Sequence, residues 1–278
     1  MEVSASKIRR PVRLSSSESH EPRLRKNAFL VSELIRRDLA SRFAGSFGGP
    51  LWALANPLIF CLLYGFVFSV VLRASPPADF HGSYPEFLLA GLLPWMGIQE
   101  AVSRGSVSVT EHAHLVKKLR FPLEALVASA LGAALLLEAA AVGLLLVFVA
   151  VSGHGEIHPA ILATAFAMEA LLLVGPVLVL ASLHVFFRDL SQLLSPALSI
   201  LFYLTPILYP DSLVPERYRR WLVWNPFRDV VALFRAGLYG TEPPPFRRLA
   251  LWAVSFLVLA FAARAFFRRS RRSFVDLL

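Results

Sequence analysis

Apolar residues gather along this chain in long runs separated by short polar or basic stretches. The lengths of those runs set the first expectation, because crossing the hydrocarbon of a bilayer takes about 20 apolar residues. Six segments have the length and character of spans, at about 51–72, 86–103, 123–151, 160–184, 191–209 and 247–267. The second is interrupted by Pro94, Gln99 and Glu100, and the third is long enough to tilt or protrude. Ahead of them, "AFLVSELIRRDLASRF" places Phe29, Leu30, Leu34, Ile35, Leu39 and Phe43 near one helical face. Glu33, Arg36, Arg37, Asp38 and Arg42 take the other. This pattern predicts an amphipathic helix at 28–44 lying along the membrane surface. Residues 1–27 are polar, basic and Ser-rich, without the apolar stretch of a signal peptide behind them, and predict a flexible tail. The expected fold class is an all-α integral membrane protein with one transmembrane domain over 28–278.

Between the fifth and sixth runs the pattern changes. Pro215 and Pro226 each suit the first turn of a helix, and Asn225 is a good N-cap residue. Two short helices are predicted within about 213–240, each too short to cross. They are expected to be re-entrant, dipping into the outer leaflet or capping a path, where backbone is tolerated only if buried in protein or lining water.

Composition sharpens this picture. The 278 residues are 56% hydrophobic and 17% charged, with a mean hydropathy of +0.60. Soluble domains carry roughly a quarter charged residues. The net charge of +9 would suit nucleic acid if it formed a stripe or tail. Here the basic residues sit at the ends of apolar runs, as membrane-flanking anchors do, and no nucleic-acid partner is expected. Cys61 stands alone and forms no intrachain disulfide.

Charge also orients the chain. The N-terminal segment is basic, the 104–122 loop carries Arg104, Lys117, Lys118 and Arg120, the 185–190 turn carries Arg188, and the C-terminus reads "FFRRSRRSF". The opposite loops, 73–85 and 152–159, hold only Arg73. The positive-inside rule then places both termini and the 104–122 loop in the cytosol. One outer segment disobeys: residues 210–248 contain Arg217, Arg219, Arg220, Arg228, Arg235, Arg247 and Arg248.

Few residues carry candidate chemistry. Glu138 and Glu169 lie inside apolar spans joined by a short outer loop, at similar depth. A carboxyl in that setting costs a few kcal/mol and faces either a cavity or a partner. The two readings are a functional pair sharing a proton and a neutral carboxyl hydrogen-bonded in the bundle. "GHGEIHP" offers His154, Glu156 and His158 in an order unlike a zinc enzyme's, and no metal site is expected. A P-loop needs a lysine directly after a glycine. The lysines are Lys7, Lys26, Lys117 and Lys118, and none follows a glycine. No catalytic residue and no cofactor in this chain are therefore expected.

Five stretches carry a resemblance. "RFAGSFGGPLWALANPL" (Arg42–Leu58), "FLLAGLLPW" (Phe87–Trp95), "LVKKLRFP" (Leu115–Pro122), "RDLSQLLSPALSILFYLTPILYP" (Arg188–Pro210) and "VPERYRRWLVWNPF" (Val214–Phe227) occur in that order. Together with six spans they resemble the type-2 ABC permeases that export O-antigen, capsule and teichoic acid. Gly48 departs from the family, which more usually has a bulky aliphatic before the glycine.

The resemblance implies a homodimer in the bacterial cytoplasmic (inner) membrane, in contact with membrane lipid. It would pair with two copies of a separate cytosolic ATPase subunit, which would hold ATP and Mg. The substrate implied is a polysaccharide, lipid-linked, of the O-antigen kind. Teichoic acid, capsule, another lipid or a drug stay open, and a membrane-bound glycan- or lipid-modifying enzyme is the reading from a different class.

In that family the loop between spans two and three carries the helix that docks on the ATPase. Here it would be Ser103–Lys117, with Glu111, His112, His114, Lys117 and Lys118 as polar contacts; the alternative is that the lysines anchor lipid headgroups. Spans one and five line the path in related exporters, which points to Phe60, Tyr64, Phe68, Phe202 and Tyr203, with Glu138 and Glu169 as further candidates. Ordinary helix packing is the alternative for the aromatics. The outer helices would form a gate, with Arg217, Arg219, Arg220, Trp221, Trp224, Asn225 and Pro226 as its functional residues.

Overall fold

A computed structural model describes residues 23–44, 49, 51–114 and 122–277. The tail before residue 23, most of the turn ahead of the first span, and Lys117 and Lys118 lie outside the described residues. Among those described, the chain is helical throughout, without strand. In chain order the helices are α1 (Arg23–Phe43), α2 (Leu51–Gly65), α3 (Tyr84–Glu111), α4 (Glu124–Ser152), α5 (Pro159–Phe186), α6 (Leu190–Leu204), α7 (Glu216–Leu222), α8 (Pro226–Tyr239) and α9 (Phe246–Leu277).

Three of these, α4, α5 and the Phe246–Arg271 part of α9, are long and apolar enough to cross a membrane. Much of the apolar surface of α4 and α9 faces outward: Leu136, Val147, Phe148, Val151, Val254, Val258 and Phe261 are all exposed. α2 continues past Gly65 into a wider π-turn, Phe66–Val71, and Arg73 ends it in the left-handed region at φ +51°.

α3 is the centre of the bundle. It packs against α2, α4, α5, α6 and α8, while α9 packs on α5 and α1 on α4. The interruption expected at Pro94, Gln99 and Glu100 is absent, for α3 runs unbroken through all three. Neighbours supply the reason. Glu100 accepts from Arg42 Nη1 of α1 at 2.6 Å and from Arg104 Nε one turn on at 3.1 Å. Ser83 and Glu86 begin α3 with a reciprocal capping box, which satisfies its first orphan donors.

Close approach to α5 depends on a glycine. A Cβ at Gly105 would lie 2.2 Å from Val177 Cγ1, so a bulkier residue at 105 would push the helices apart.

Helix ends differ from the expected boundaries in two informative places. The second span was expected to stop at 103, but α3 continues to Glu111 with Ser106 and Val109 fully buried. The fifth was expected to reach 209, but α6 is only 15 residues and stops at Leu204. Beyond it, Thr205–Pro210 is non-helical, yet Thr205, Ile207 and Leu208 are buried.

Candidate functional site

Four regions hold the residues singled out from the sequence. The first is an aromatic seam. Phe60, Tyr64 and Phe68 recur every four residues and so share one face of α2 and its π-turn. Phe60 stacks on Tyr64 at 5.9 Å between centroids, and Tyr64 tilts against Phe68 at 6.4 Å. From the fifth run, Phe202 meets Tyr64 at 6.3 Å and its own neighbour Tyr203 at 5.2 Å. The aromatics of these two elements therefore meet one another. Phe202 is buried and Tyr203 is 60% exposed, so the seam has a packed side and an open side.

Sequence reasoning missed the members that extend the seam. Trp95 of α3 packs on Phe202 and on Phe227 of α8, each at 5.8 Å, and Tyr84 stacks on Phe68 at 5.7 Å. Trp95 lay within a quoted motif, and its aromatic character was the available signal.

The second region is the membrane interior between α4 and α5. Glu138 and Glu169 are both buried, and none of their four carboxyl oxygens has a hydrogen-bond partner among the described residues. Glu138 lies close against α3, for a Cβ at Gly97 would fall 2.1 Å from its Oε2.

The third region is the outer end. Asn225 caps α8 as expected, its Oδ1 accepting from the Phe227 N–H at 3.0 Å. Its Nδ2 donates to Thr205 Oγ1 at 3.0 Å and to the Leu204 carbonyl at 3.3 Å, which ties α8 to the end of α6. Pro226 occupies the first helical position. Trp221 and Trp224 are more than 70% exposed on the α7 side. Arg217 lies over the ring of Tyr218, Arg219 donates to the carbonyls of Ser212 and Val214, and Arg220 is exposed.

Three of the remaining arginines of this segment, Arg228, Arg235 and Arg248, are engaged inside the protein, while Arg247 is exposed. Arg235 is buried; it donates to the carbonyls of Pro206 (2.9 Å), Ile207 (2.8 Å) and Phe87 (3.4 Å). Arg228 bridges Asp211 and Asp229. Asp229, almost wholly buried on α8, also accepts from Trp252 Nε1 of α9 at 2.9 Å and lies 2.7 Å from Arg248 Nε. The acid is held out of water, which raises its proton affinity, while the Trp252 hydrogen bond and the two arginines favour the charged form. A cavity of about 450 Å³ opens beside this cluster, lined by Phe87, Asp211, Arg228, Arg235 and Arg248 among others.

At the other end, Glu111 is the last residue of α3. His112 follows it, with Nδ1 2.9 Å from the Ser108 carbonyl oxygen, and the His114 ring is 6.4 Å away. These three residues border a cleft of about 250 Å³ between α1, α3 and α4, which Arg37, Arg42 and Arg104 also line. Arg42 is nearly buried there, between Asp38 and Glu100. In the opposite loop, His154 Nδ1 lies 3.2 Å from Glu86 Oε1, and His158 lies 3.9 Å from Glu156.

A helical bundle with three helices long and apolar enough to cross a membrane, whose central helix joins a polar cleft at one end to the capped α8 at the other, suits a membrane protein. Residues 30–239 match the ABC-2 type transporter family, and the chain belongs to that family. It is 30% identical over 250 residues to the O-antigen export system permease protein RfbA of Myxococcus xanthus, covering 89% of this chain and 94% of the relative. A Klebsiella pneumoniae protein of the same name is 25% identical over 254 residues, covering 90% and 95%. The polysialic acid transport protein KpsM of Escherichia coli is 28% identical over 238 residues, covering 84% and 91%.

Proposed function

We propose that this chain is the permease subunit of an ATP-driven exporter that moves a polysaccharide of the O-antigen kind across the bacterial inner membrane. The observation that carries the proposal is the near full-length similarity to permeases named for O-antigen export, with a further likeness to a polysialic acid transport protein. The aromatic seam suits such a cargo. Sugar rings have apolar C–H faces that rest on aromatic rings, and a path must bind weakly enough to let cargo leave.

In this reading all six runs cross the membrane, α1 lies at the cytosolic surface, and both termini are cytosolic. α7 and α8 form the outer gate. Two copies of the chain pair, and each docks a separate ATPase through the loop that follows α3, with Glu111, His112, His114, Lys117 and Lys118 as contacts. ATP and Mg belong to that ATPase. The length of α3 supports the mechanical part: its 28 residues span about 42 Å, so a push at Glu111 reaches the Arg235–Phe87 contact through one rigid element.

The test is to purify the chain together with a candidate ATPase subunit and to measure hydrolysis with and without lipid-linked polymer. Polymer-stimulated hydrolysis, together with cytoplasmic accumulation of polymer when the chain is deleted, is the expected result. Unaltered surface polymer in the deletion strain would overturn the proposal.

A further inference from the structure

The cavity of about 450 Å³ beside Asp229 has the size of a small-molecule site. One side of it is a face of α8, because Arg228, Ala232 and Arg235 are spaced four and three residues apart. The alanine between two long side chains leaves the room. Gly240 ends α8 in the left-handed region at φ +68°, and the chain turns back there. Pro243, Pro244 and Pro245 then form part of the wall, and three more prolines from other segments complete it. Proline fixes its own φ, so this wall has little freedom to lose when a ligand enters.

Donors and acceptors are balanced in the wall. Arg228, Arg235 and Arg248 line it, and so do Asp79, Asp211 and Glu242. A guanidinium has five N–H donors. Arg228 directs three of them to Asp211 and Asp229. Arg235 gives three to the carbonyls of Phe87, Pro206 and Ile207. Each keeps two. Arg235 is only 9% exposed, yet its Nε–H has no acceptor among the described residues. On the other side, the carboxylates of Asp79 and Glu242 form no hydrogen bond or ion pair among the described residues.

Three ligand classes fit this wall badly. A phosphate offers chiefly acceptors, and the three carboxylates would repel it. A bare metal ion needs converging ligands, and no group of three metal-ligating side chains exists among the described residues. An apolar molecule would leave charged groups buried without partners. A sugar meets both halves of the wall. Each hydroxyl is one donor and two acceptor lone pairs, so neighbouring hydroxyls can donate to a carboxylate and accept from a guanidinium. The cavity also lies at the end of the aromatic seam. From Phe68 the row of rings continues through Tyr84 at 5.7 Å, Phe87 at 6.0 Å and Phe80 at 5.4 Å, and the last two line the cavity.

We propose that this cavity binds one neutral sugar unit, its hydroxyls held between the arginine face of α8 and the carboxylates of Asp79 and Glu242. The binding follows from the donors and acceptors of the wall. That the sugar is a unit of the exported polymer rests on the export function proposed for the chain.

The experiment is saturation-transfer NMR on the full chain in lipid nanodiscs, free of sugar-based detergent, with D-glucose, D-galactose, D-mannose and L-rhamnose as separate probes. Transfer to at least one sugar is expected from the wild type. It is expected to be lost in D79A/E242A, which removes two exposed carboxylates and should melt with the wild type. Ala232→Leu, which fills the space between the arginines, is expected to lose it independently. Tyr203→Ala, on the open side of the seam, is expected to keep it. No transfer from the wild type to any of the four sugars overturns the proposal. Transfer retained in both D79A/E242A and Ala232→Leu also overturns it, as does transfer lost in Tyr203→Ala, which assigns the sugar to the seam. None of these results bears on export, which the deletion strain tests separately, and unaltered surface polymer in that strain would leave the binding measurement standing.

Discussion

The guanidinium of Arg235 lies 3.7 Å from the centre of the Phe87 ring, pinning the short α8 to the central α3. The same group donates to carbonyls of residues 206 and 207, which α6 leaves without helical partners when it ends at Leu204. One cation therefore joins three elements and satisfies backbone that would otherwise be orphaned. Each buried carbonyl left without a donor costs about 1–3 kcal/mol. Arg235→Met is expected to lower the melting temperature of the purified protein clearly, and Arg235→Lys to recover little, because an ammonium lacks the planar fork. A melting temperature unchanged in Arg235→Met would show that the clamp contributes nothing.

Gly105 sets the distance between α3 and α5. Gly105→Ala is expected to destabilise the bundle by about 1–3 kcal/mol, the usual range for overpacking. The clashing atom is Val177 Cγ1, and Val177 Cβ would be at an ordinary 3.5 Å. Val177→Ala in the same chain should therefore restore most of the loss. Thermal melting of the two single variants and the double tests this, and simple additivity of the two costs would disprove the contact.

The cap at Asn225 offers a way to alter the outer helices without unfolding the chain. Asn225→Ala removes an N-cap worth about 1 kcal/mol together with the bond to Thr205. Expression is expected to stay normal while export rate or basal ATPase activity changes several-fold, since 1.4 kcal/mol is a tenfold shift in an equilibrium. If the exposed arginines contact an anionic part of the cargo, Arg219→Ala with Arg220→Ala should weaken export further than Asn225→Ala. Wild-type export in both, at matched expression, would reduce α7 and α8 to an interfacial anchor.

Topology is checked by labelling in intact cells, starting from a chain in which Cys61 is replaced. A cysteine introduced at His154 is expected to react with an impermeant maleimide, and one at Lys117 to be spared. The reverse pattern would invert the orientation and remove the basis for docking at the loop after α3.

Much of this architecture was legible in the sequence because its cause is local. Runs of Leu, Val and Ala require burial in lipid or protein wherever they fall, so α4, α5 and α9 were found to within a few residues, apart from the basic continuation of α9 to Leu277. The cap at Asn225 and the proline start of α8 are likewise read from adjacent residues. What stayed hidden depends on distant partners. Glu100 looked like an interruption because its counter-ion, Arg42, comes from a helix 58 residues earlier. Arg235 looked like one basic residue among many in an outer loop, since nothing in its neighbourhood announces that its partners are carbonyls on α6 and α3. Depth counting placed Glu138 and Glu169 level, but only the fold shows that both are buried.

The brevity of α6 has a consequence for the surrounding lipid. Fifteen residues reach about 22 Å, whereas hydrocarbon is about 30 Å thick. In the six-span reading the shortfall falls to Thr205–Pro210, held on Arg235. Lipids beside α6 would then shorten or tilt to match, at a modest cost per ångström. The bilayer would thus be thinned locally beside the aromatic seam. Turnover should consequently rise in bilayers of short-chain lipid and fall in thick ones; a rate indifferent to acyl length would mean that the protein, and not the membrane, absorbs the mismatch.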